Sequence, residues 1–155
     1  MLGSEFIEFF NKLPVLMPHF NGVYSIDRIP HRMKPRTFSI INLDPKNKPG
    51  SHWFVMVKPE LGKLEIFDSL GAGSKIGLIK ENLKFRTNQS IVYNDTPFQM
   101  ADSHSCGLFA IYFAVERMFN LDLPFIALLE DIFDFENKLE NNENIVKQFC
   151  EMIIE

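Results

Sequence analysis

Gln99-Met-Ala-Asp-Ser-His-Ser-Cys106-Gly107-Leu-Phe-Ala-Ile-Tyr-Phe113 is the stretch on which the reading of the whole chain turns. A polar, turn-prone run ends at a cysteine and a glycine. An apolar segment then continues to Phe119 with only Glu116 and Arg117 charged. That pattern predicts a helix buried in the middle of a domain, with a thiol in its first turn. A helix N-terminus carries roughly half a positive charge, which favours thiolate over thiol. A cysteine in this position is either an inert core residue or a nucleophile. The choice depends on whether the chain also supplies a base, an orienter for that base and donors for an oxyanion.

Upstream of this stretch the chain reads as strands. Thr37-Phe-Ser-Ile-Ile-Asn-Leu43 is β-branched and apolar, and His52-Trp-Phe-Val-Met-Val57 is apolar on both faces, as a central strand is. Lys58-Pro-Glu-Leu-Gly-Lys63 predicts a hairpin loop, Leu64-Glu-Ile-Phe67 the returning strand, and Ser90-Ile-Val-Tyr93 a fourth strand. A short helix is expected within Ile76 to Leu83. Near the amino terminus, Phe6, Phe9, Phe10 and Leu13 recur at helical spacing until Pro14. Gly3-Ser4-Glu5-Phe6 also has the form of a cloning scar and is given no weight. Pro18 to Pro35 reads as a long packed loop. Downstream, Phe125, Leu128, Leu129, Ile132 and Leu139 keep helical period after Pro124, and a last helix from about Asn142 carries Ile145, Phe149 and Ile153 on one face. The expected fold class is α+β, with helices packed around a mainly antiparallel central sheet and a buried helix headed by Cys106.

Length and composition set limits on function. The 155 residues suit a single domain spanning 1–155, and 16 phenylalanines predict a dense aromatic interior. No secretory signal is visible, and no run reaches the roughly 20 apolar residues of a membrane span, so a soluble protein is expected. Two cysteines, Cys106 and Cys150, do not make a secreted disulfide scaffold, so a reducing, intracellular compartment is expected. The net charge of −4 is uneven: residues 120–155 hold nine acids against two lysines, which leaves +3 on residues 1–119. Arg28, Arg32, Lys34, Arg36, Lys46 and Lys48 form a modest basic stretch, read as solvated surface because nucleic-acid domains are usually basic overall.

Several residues carry possible chemistry. His52 opens a central strand and Asp68 closes its hairpin partner, so the two ends lie side by side. A carboxylate there holds an imidazole in one tautomer and leaves its other nitrogen free to move a proton. Imidazolium His52 would favour a thiolate at Cys106, and Gln99, seven positions earlier, is an amide donor for an oxyanion beside the backbone N–H groups of the helix start. Each has a plainer reading: a packed histidine beside Trp53, an aspartate that starts a turn before Ser-Leu-Gly, a buried cysteine. Glu65 is an alternative carboxylate, less suited because it sits inside the strand. His104 and Cys106 lack a second close pair of metal-ligand types, so no zinc site is expected.

Together these blocks resemble the adenovirus proteinase family, with its relatives in Polinton/Maverick mobile elements and virophages. Pro18-His-Phe-Asn-Gly-Val-Tyr24 is similar to the family's Pro-aromatic-Phe-x-Gly-x-Tyr segment, and Ser39-Ile-Ile-Asn42 to the strand before its histidine. His52-Trp53, Phe67-Asp68, Gln99 and Cys106-Gly-Leu-Phe109 match in the same order. The resemblance implies a papain-like cysteine endopeptidase fold in permuted order. Its catalytic residues would be His52 as general base and acid, Asp68 as orienter, Gln99 as oxyanion donor and Cys106 as nucleophile. Trp53 and Gly107 would bind substrate, with Trp53 walling a narrow slot that admits glycine.

The implied substrates are capsid or other structural precursors of a virus or mobile element, cut at glycine-containing sites by a monomer that is packaged in the virion. The family also uses DNA and a disulfide-linked viral peptide as activators. This chain departs there, being acidic overall and having Asn88 where the linking cysteine would stand. No cofactor is required. SUMO and ubiquitin-like isopeptidases share the same blocks but usually place Gln six residues before Cys. A non-catalytic module that binds capsid protein or nucleic acid is the alternative from another class.

Overall fold

Period-two patterning runs through the centre of the molecule. The computed structural model describes residues 1–30, 32–44, 52–83, 89–135 and 139–154. Lys46, Lys48 and Asn88 lie outside them. Five strands, β1 (Phe20–Ser25), β2 (Thr37–Asn42), β3 (Trp53–Lys58), β4 (Lys63–Phe67) and β5 (Ser90–Tyr93), form one sheet in the order β1-β2-β3-β4-β5. All residues of β2 and β3 are buried, because both faces of the sheet are covered. Phe38 and Ile40 of β2, Trp53, Val55 and Val57 of β3 and Phe67 of β4 face one core, whereas Ile41, Phe54, Met56, Leu64 and Ile66 face the other.

The first core is filled by helices α1 (Gly3–Asn11), α3 (Cys106–Phe119), α4 (Phe125–Ile132) and α5 (Leu139–Ile154), and the second by α2 (Ile76–Asn82) with Ile26 and Met33. Among the described residues no helix is long and apolar enough to cross a membrane. Phe67 stacks on Phe113 of α3 with ring centroids 4.3 Å apart, and Phe98 stacks on Phe133 at 4.5 Å. These contacts seat the cysteine helix against β4 and the segment that leads to Gln99.

Several expectations need correction. The sheet is mixed rather than mainly antiparallel: β2–β3 and β3–β4 are antiparallel, but β1–β2 and β4–β5 are parallel. Parallel neighbours need a crossover, which the 3-10 turn Ile26–Arg28 and the following segment supply for β1–β2, and α2 for β4–β5. The segment after Pro18 is not all loop. It holds β1, whose register shifts between Phe20 and Gly22, where Gly22 adopts φ 132°. Phe6 is fully buried and packs edge-on against Trp53 at 4.9 Å, so the start of the chain is part of the fold. The pattern from Phe125 to Leu139 is broken after Ile132. On α5 the buried residues are Asn142, Glu143, Val146 and Cys150, whereas Ile145 points outward, 38% exposed.

Arg117 is the one charged side chain of α3 that is fully buried. It makes two hydrogen bonds to Glu65 of β4, at 2.8 and 2.7 Å, and donates to the Asn120 and Leu123 carbonyls beyond the helix end. Glu65 is thereby committed to this structural pair and is not the orienter of His52. Removing one partner leaves a buried charge uncompensated. Arg117→Ala should therefore lower unfolding free energy by about 3–5 kcal/mol, measured by chemical denaturation.

Candidate active site

The β3–β4 register decides which side chains meet. Val55 faces Phe67 and Val57 faces Glu65, so the residue before β3 and the residue after β4 come together at one end of the hairpin. His52 Nε2 lies 2.8 Å from Asp68 Oδ1, as the strand ends led one to expect. Asp68 is completely buried, and its oxygens face only donors. Oδ1 also accepts from the Leu70 N–H at 2.9 Å, and Oδ2 accepts from Lys75 Nζ at 2.9 Å. Its backbone is pinned by Asn94, which accepts from the Asp68 N–H at 3.0 Å and donates to the Asp68 carbonyl at 2.7 Å. Gly71, with φ 89°, closes the turn, and a Cβ there would come within 2.6 Å of the Asp95 carbonyl oxygen.

With Nε2 turned to Asp68, Nδ1 is the His52 nitrogen left for the thiol. Cys106 is hydrogen-bonded to His52 and to the backbone of Trp53. It occupies the first position of α3, which is packed against β3 by Phe109, Ala110 and Phe113. The two titrations follow from this geometry. Burial alone would lower the His52 pKa, but hydrogen bonds to Asp68 and Cys106 and the Asp68 charge outweigh it and raise the pKa to about 9, with Lys75 opposing. Burial likewise pushes the Cys106 thiol up, yet the bonds to His52 and the Trp53 backbone and the His52 charge pull it below its ordinary value. Both shifts favour the same state, a thiolate beside an imidazolium. Cys150 is the contrast: burial pushes it up to about 12, and its thiol points at the Leu108 carbonyl.

Gln99 is buried beside this pair. Its carbonyl oxygen accepts from Ser69 Oγ, and its amide nitrogen donates to the Ser103 carbonyl at 2.9 Å. The N–H groups of Phe98 and Gln99 both donate to the Ser69 carbonyl, at 2.8 and 3.0 Å, so the turn that carries Asp68 and the segment that carries Gln99 are stitched together. His52, Gln99 and Cys106 line one cavity of about 410 Å³, with Met1, Leu43, Leu70 and Lys75 among its walls. A larger concavity of about 610 Å³, beside Glu65 and Arg117, holds none of the four candidate catalytic residues.

Trp53 and Gly107 meet through the amino-terminal residue. Trp53 Nε1 donates to the Met1 carbonyl at 3.0 Å, and the Met1 side chain lies so close over Gly107 that a Cβ there would approach its sulfur to 2.6 Å. The space expected to admit a substrate glycine is therefore covered by Met1 in this structure. Sequence reasoning missed Lys75, Ser69, Asn94 and Ser103. Asn94 and Ser69 act through bonds to residues 26 and 30 positions away, whereas Lys75 and Ser103 bond Asp68 and Gln99 seven and four positions away across turns that local pattern does not encode. Among the described residues no group of three or more His, Cys, Asp or Glu is arranged to hold a metal ion.

No protein-family model matches the sequence, and no curated protein matches it. Among solved structures, the central domain of the uncharacterized Lpg1148 protein from Legionella pneumophila is similar to this chain. The identity is 16%, over 92% of this chain and 96% of that one, with a TM-score of 0.46.

Proposed function

We propose that the protein is a cysteine endopeptidase whose fold is the papain-like arrangement in permuted chain order, of the adenovirus proteinase type. The observation that carries this reading is the meeting of His52, Gln99 and Cys106 at one cavity, with the histidine bonded to both the thiol and the buried Asp68 carboxylate behind it. Cys106 thiolate attacks the scissile carbonyl carbon, and the carbonyl oxygen takes the negative charge. The Gln99 amide and the N–H groups of the first turn of α3, which no carbonyl within the helix can accept from, stabilise that charge. Imidazolium His52 then gives its proton to the leaving nitrogen, the C–N bond breaks and a thioester remains. Neutral His52 next takes a proton from water as its oxygen attacks the thioester. Collapse breaks the C–S bond, restores the thiolate–imidazolium pair and releases the new carboxylic acid, which gives its proton to solvent.

The substrate class rests on the resemblance: capsid or structural precursors of a virus or mobile element, with glycine near the cut. The same basis supports packaging in the virion, and the sparse cysteines support work in a reducing intracellular compartment. Activation by DNA or a disulfide-linked peptide has less support, because the chain is acidic overall and has Asn88 where the linking cysteine would stand. Such an activator would have to uncover the space that Met1 fills over Gly107.

A panel comparing a short glycine-containing capsid peptide, a SUMO-linked and a ubiquitin-linked fluorogenic substrate tests the reading. The peptide should be turned over fastest. Faster release from the SUMO or ubiquitin conjugate would favour an isopeptidase, and no turnover of any of them would favour a binding module. In the active enzyme Gln99→Ala should lower kcat by about 10²–10³ with KM little changed, because the oxyanion exists only in the transition state.

A further inference from the structure

We infer that Glu143, on the carboxyl-terminal helix α5, is a positioning residue for the Gln99 amide, acting through Ser103. The inference rests on the peptidase reading for its consequence and on geometry for its substance. The Gln99 amide could in principle sit either way round, since its nitrogen and oxygen have the same shape. A backbone carbonyl can only accept, so the 2.9 Å contact with the Ser103 carbonyl fixes the nitrogen on that side. The orientation of the oxyanion donor therefore depends on where Ser103 is held.

Ser103 lies in neither a helix nor a strand; its N–H donates to the Met100 carbonyl at 3.0 Å, and its hydroxyl is what ties it to α5. Its Oγ accepts from the Ser105 N–H at 3.1 Å and donates to Glu143 Oε1 at 2.6 Å, a length typical of a hydrogen bond to a charged acceptor. The preceding residue of α5, Asn142, is fully buried and donates to the carbonyl of Phe98, on the other side of Gln99, at 3.3 Å. Two consecutive residues of α5 thus clamp the segment on both sides of Gln99.

The cost of this arrangement supports a functional reading. Glu143 is 6% exposed, and its Oε2 has no hydrogen-bond partner among the described residues. A buried carboxylate oxygen without a partner is unfavourable, and an apolar side chain would pack the helix more cheaply. Breaches of this kind are expected where a site needs them.

The test pairs kinetics with a direct view of the amide. Glu143→Leu should lower kcat about ten-fold with KM within about two-fold, a part of the 10²–10³ that losing an oxyanion donor costs. Glu143→Gln keeps an acceptor for Ser103 and should restore most of kcat. Ser103→Ala, which removes the hydroxyl and keeps the carbonyl, should reproduce the loss and serves if Glu143→Leu does not fold. In a Gln99→Ala background, Glu143→Leu or Ser103→Ala should have no further effect on kcat. An equal loss in both backgrounds would mean general destabilisation and overturn the proposal.

In nuclear magnetic resonance spectra, the two Gln99 side-chain amide protons should be distinct and protected in wild type and in Glu143→Gln. They should exchange faster in Glu143→Leu and Ser103→Ala. Unchanged amide protection in those two variants would overturn the proposal whatever the activity. If wild type shows no Cys106-dependent turnover, the peptidase reading fails instead, and the amide spectra alone decide whether Glu143 positions Gln99.

Discussion

Cys106→Ala is expected to reduce turnover of a glycine-containing peptide to background, a loss on the order of 10⁶ in kcat. The size follows from the way the site works as a unit. Without the sulfur there is no thioester, and the contributions of His52 and Gln99 to that path vanish with it. What survives is the modest acceleration from binding and oxyanion stabilisation of direct water attack. The fold should be untouched, since Cys106 is a small residue at the head of a helix anchored by Phe109, Phe113 and the Arg117–Glu65 pair. Circular dichroism and thermal unfolding should therefore overlay those of wild type, and the variant should still bind the peptide. Cys106→Ser should be nearly as inactive, because the imidazolium cannot hold a serine hydroxyl ionised near neutral pH. Turnover retained by Cys106→Ala would remove the thiol from the mechanism.

Asp68→Asn carries the second largest expected effect, a fall of about 10³–10⁴ in kcat. Asparagine is nearly the same shape, but the site has no place for its amide group. Every contact of the Asp68 carboxylate is a donor: His52 Nε2, the Leu70 N–H and Lys75 Nζ. An asparagine must turn its NH₂ toward one of them, and if that one is His52 the ring loses its orientation.

Loss of the charge also weakens the support that raises the His52 pKa to about 9, so the imidazolium should form less readily and the alkaline limit of activity should move down. The sign for folding is opposite in acid. The folded-state pKa of Asp68 lies below its ordinary 3.8, because its bonds to His52 and Lys75 outweigh the burial that would raise it. Its contribution to stability is thus present above pH 3.8 and is lost as pH falls through the folded value. Wild type should lose stability across that acid range, and Asp68→Asn should lack that component. A variant with wild-type kcat and a wild-type acid transition would contradict the orienting role of Asp68.

Much of this was legible in the residues, for identifiable reasons. β3 announced itself through an unbroken apolar run and β4 through a short apolar run interrupted only by Glu65, on either side of a glycine-containing loop, and that hairpin places His52 next to Asp68. The cysteine helix was legible because it is apolar on all sides. β1 was not, since Pro18 and Asn21-Gly22 are turn residues that mask a strand with a shifted register. The parallel pairings were not legible either, because strand direction depends on where the connections cross, which local pattern does not encode. On α5 the packing face runs through a polar residue, Asn142, whose buried hydrogen bonds to Phe98 and Asp134 displace the apolar stripe expected through Ile145. Lys75 reaches the site by bonding to Asp68, seven residues back, and approaching His52 Nε2 to 3.4 Å, and Glu143 by bonding to Ser103, forty residues back; nothing in the neighbouring sequence marks either.

The central claim, that Cys106 stands ready as a thiolate beside imidazolium His52, is tested most directly by the pH dependence of its alkylation. Iodoacetamide should be applied to wild type and His52→Ala between about pH 5 and 10, with the label quantified separately at Cys106 and Cys150 by mass spectrometry. In wild type, Cys106 should already react on a plateau below its ordinary thiol range, while Cys150, held up to about 12, stays unlabelled. In His52→Ala the neutral-pH rate should collapse and the rise should move to the pH of an ordinary buried thiol. Identical profiles for Cys106 in the two proteins, both rising only in the alkaline range, would contradict the account.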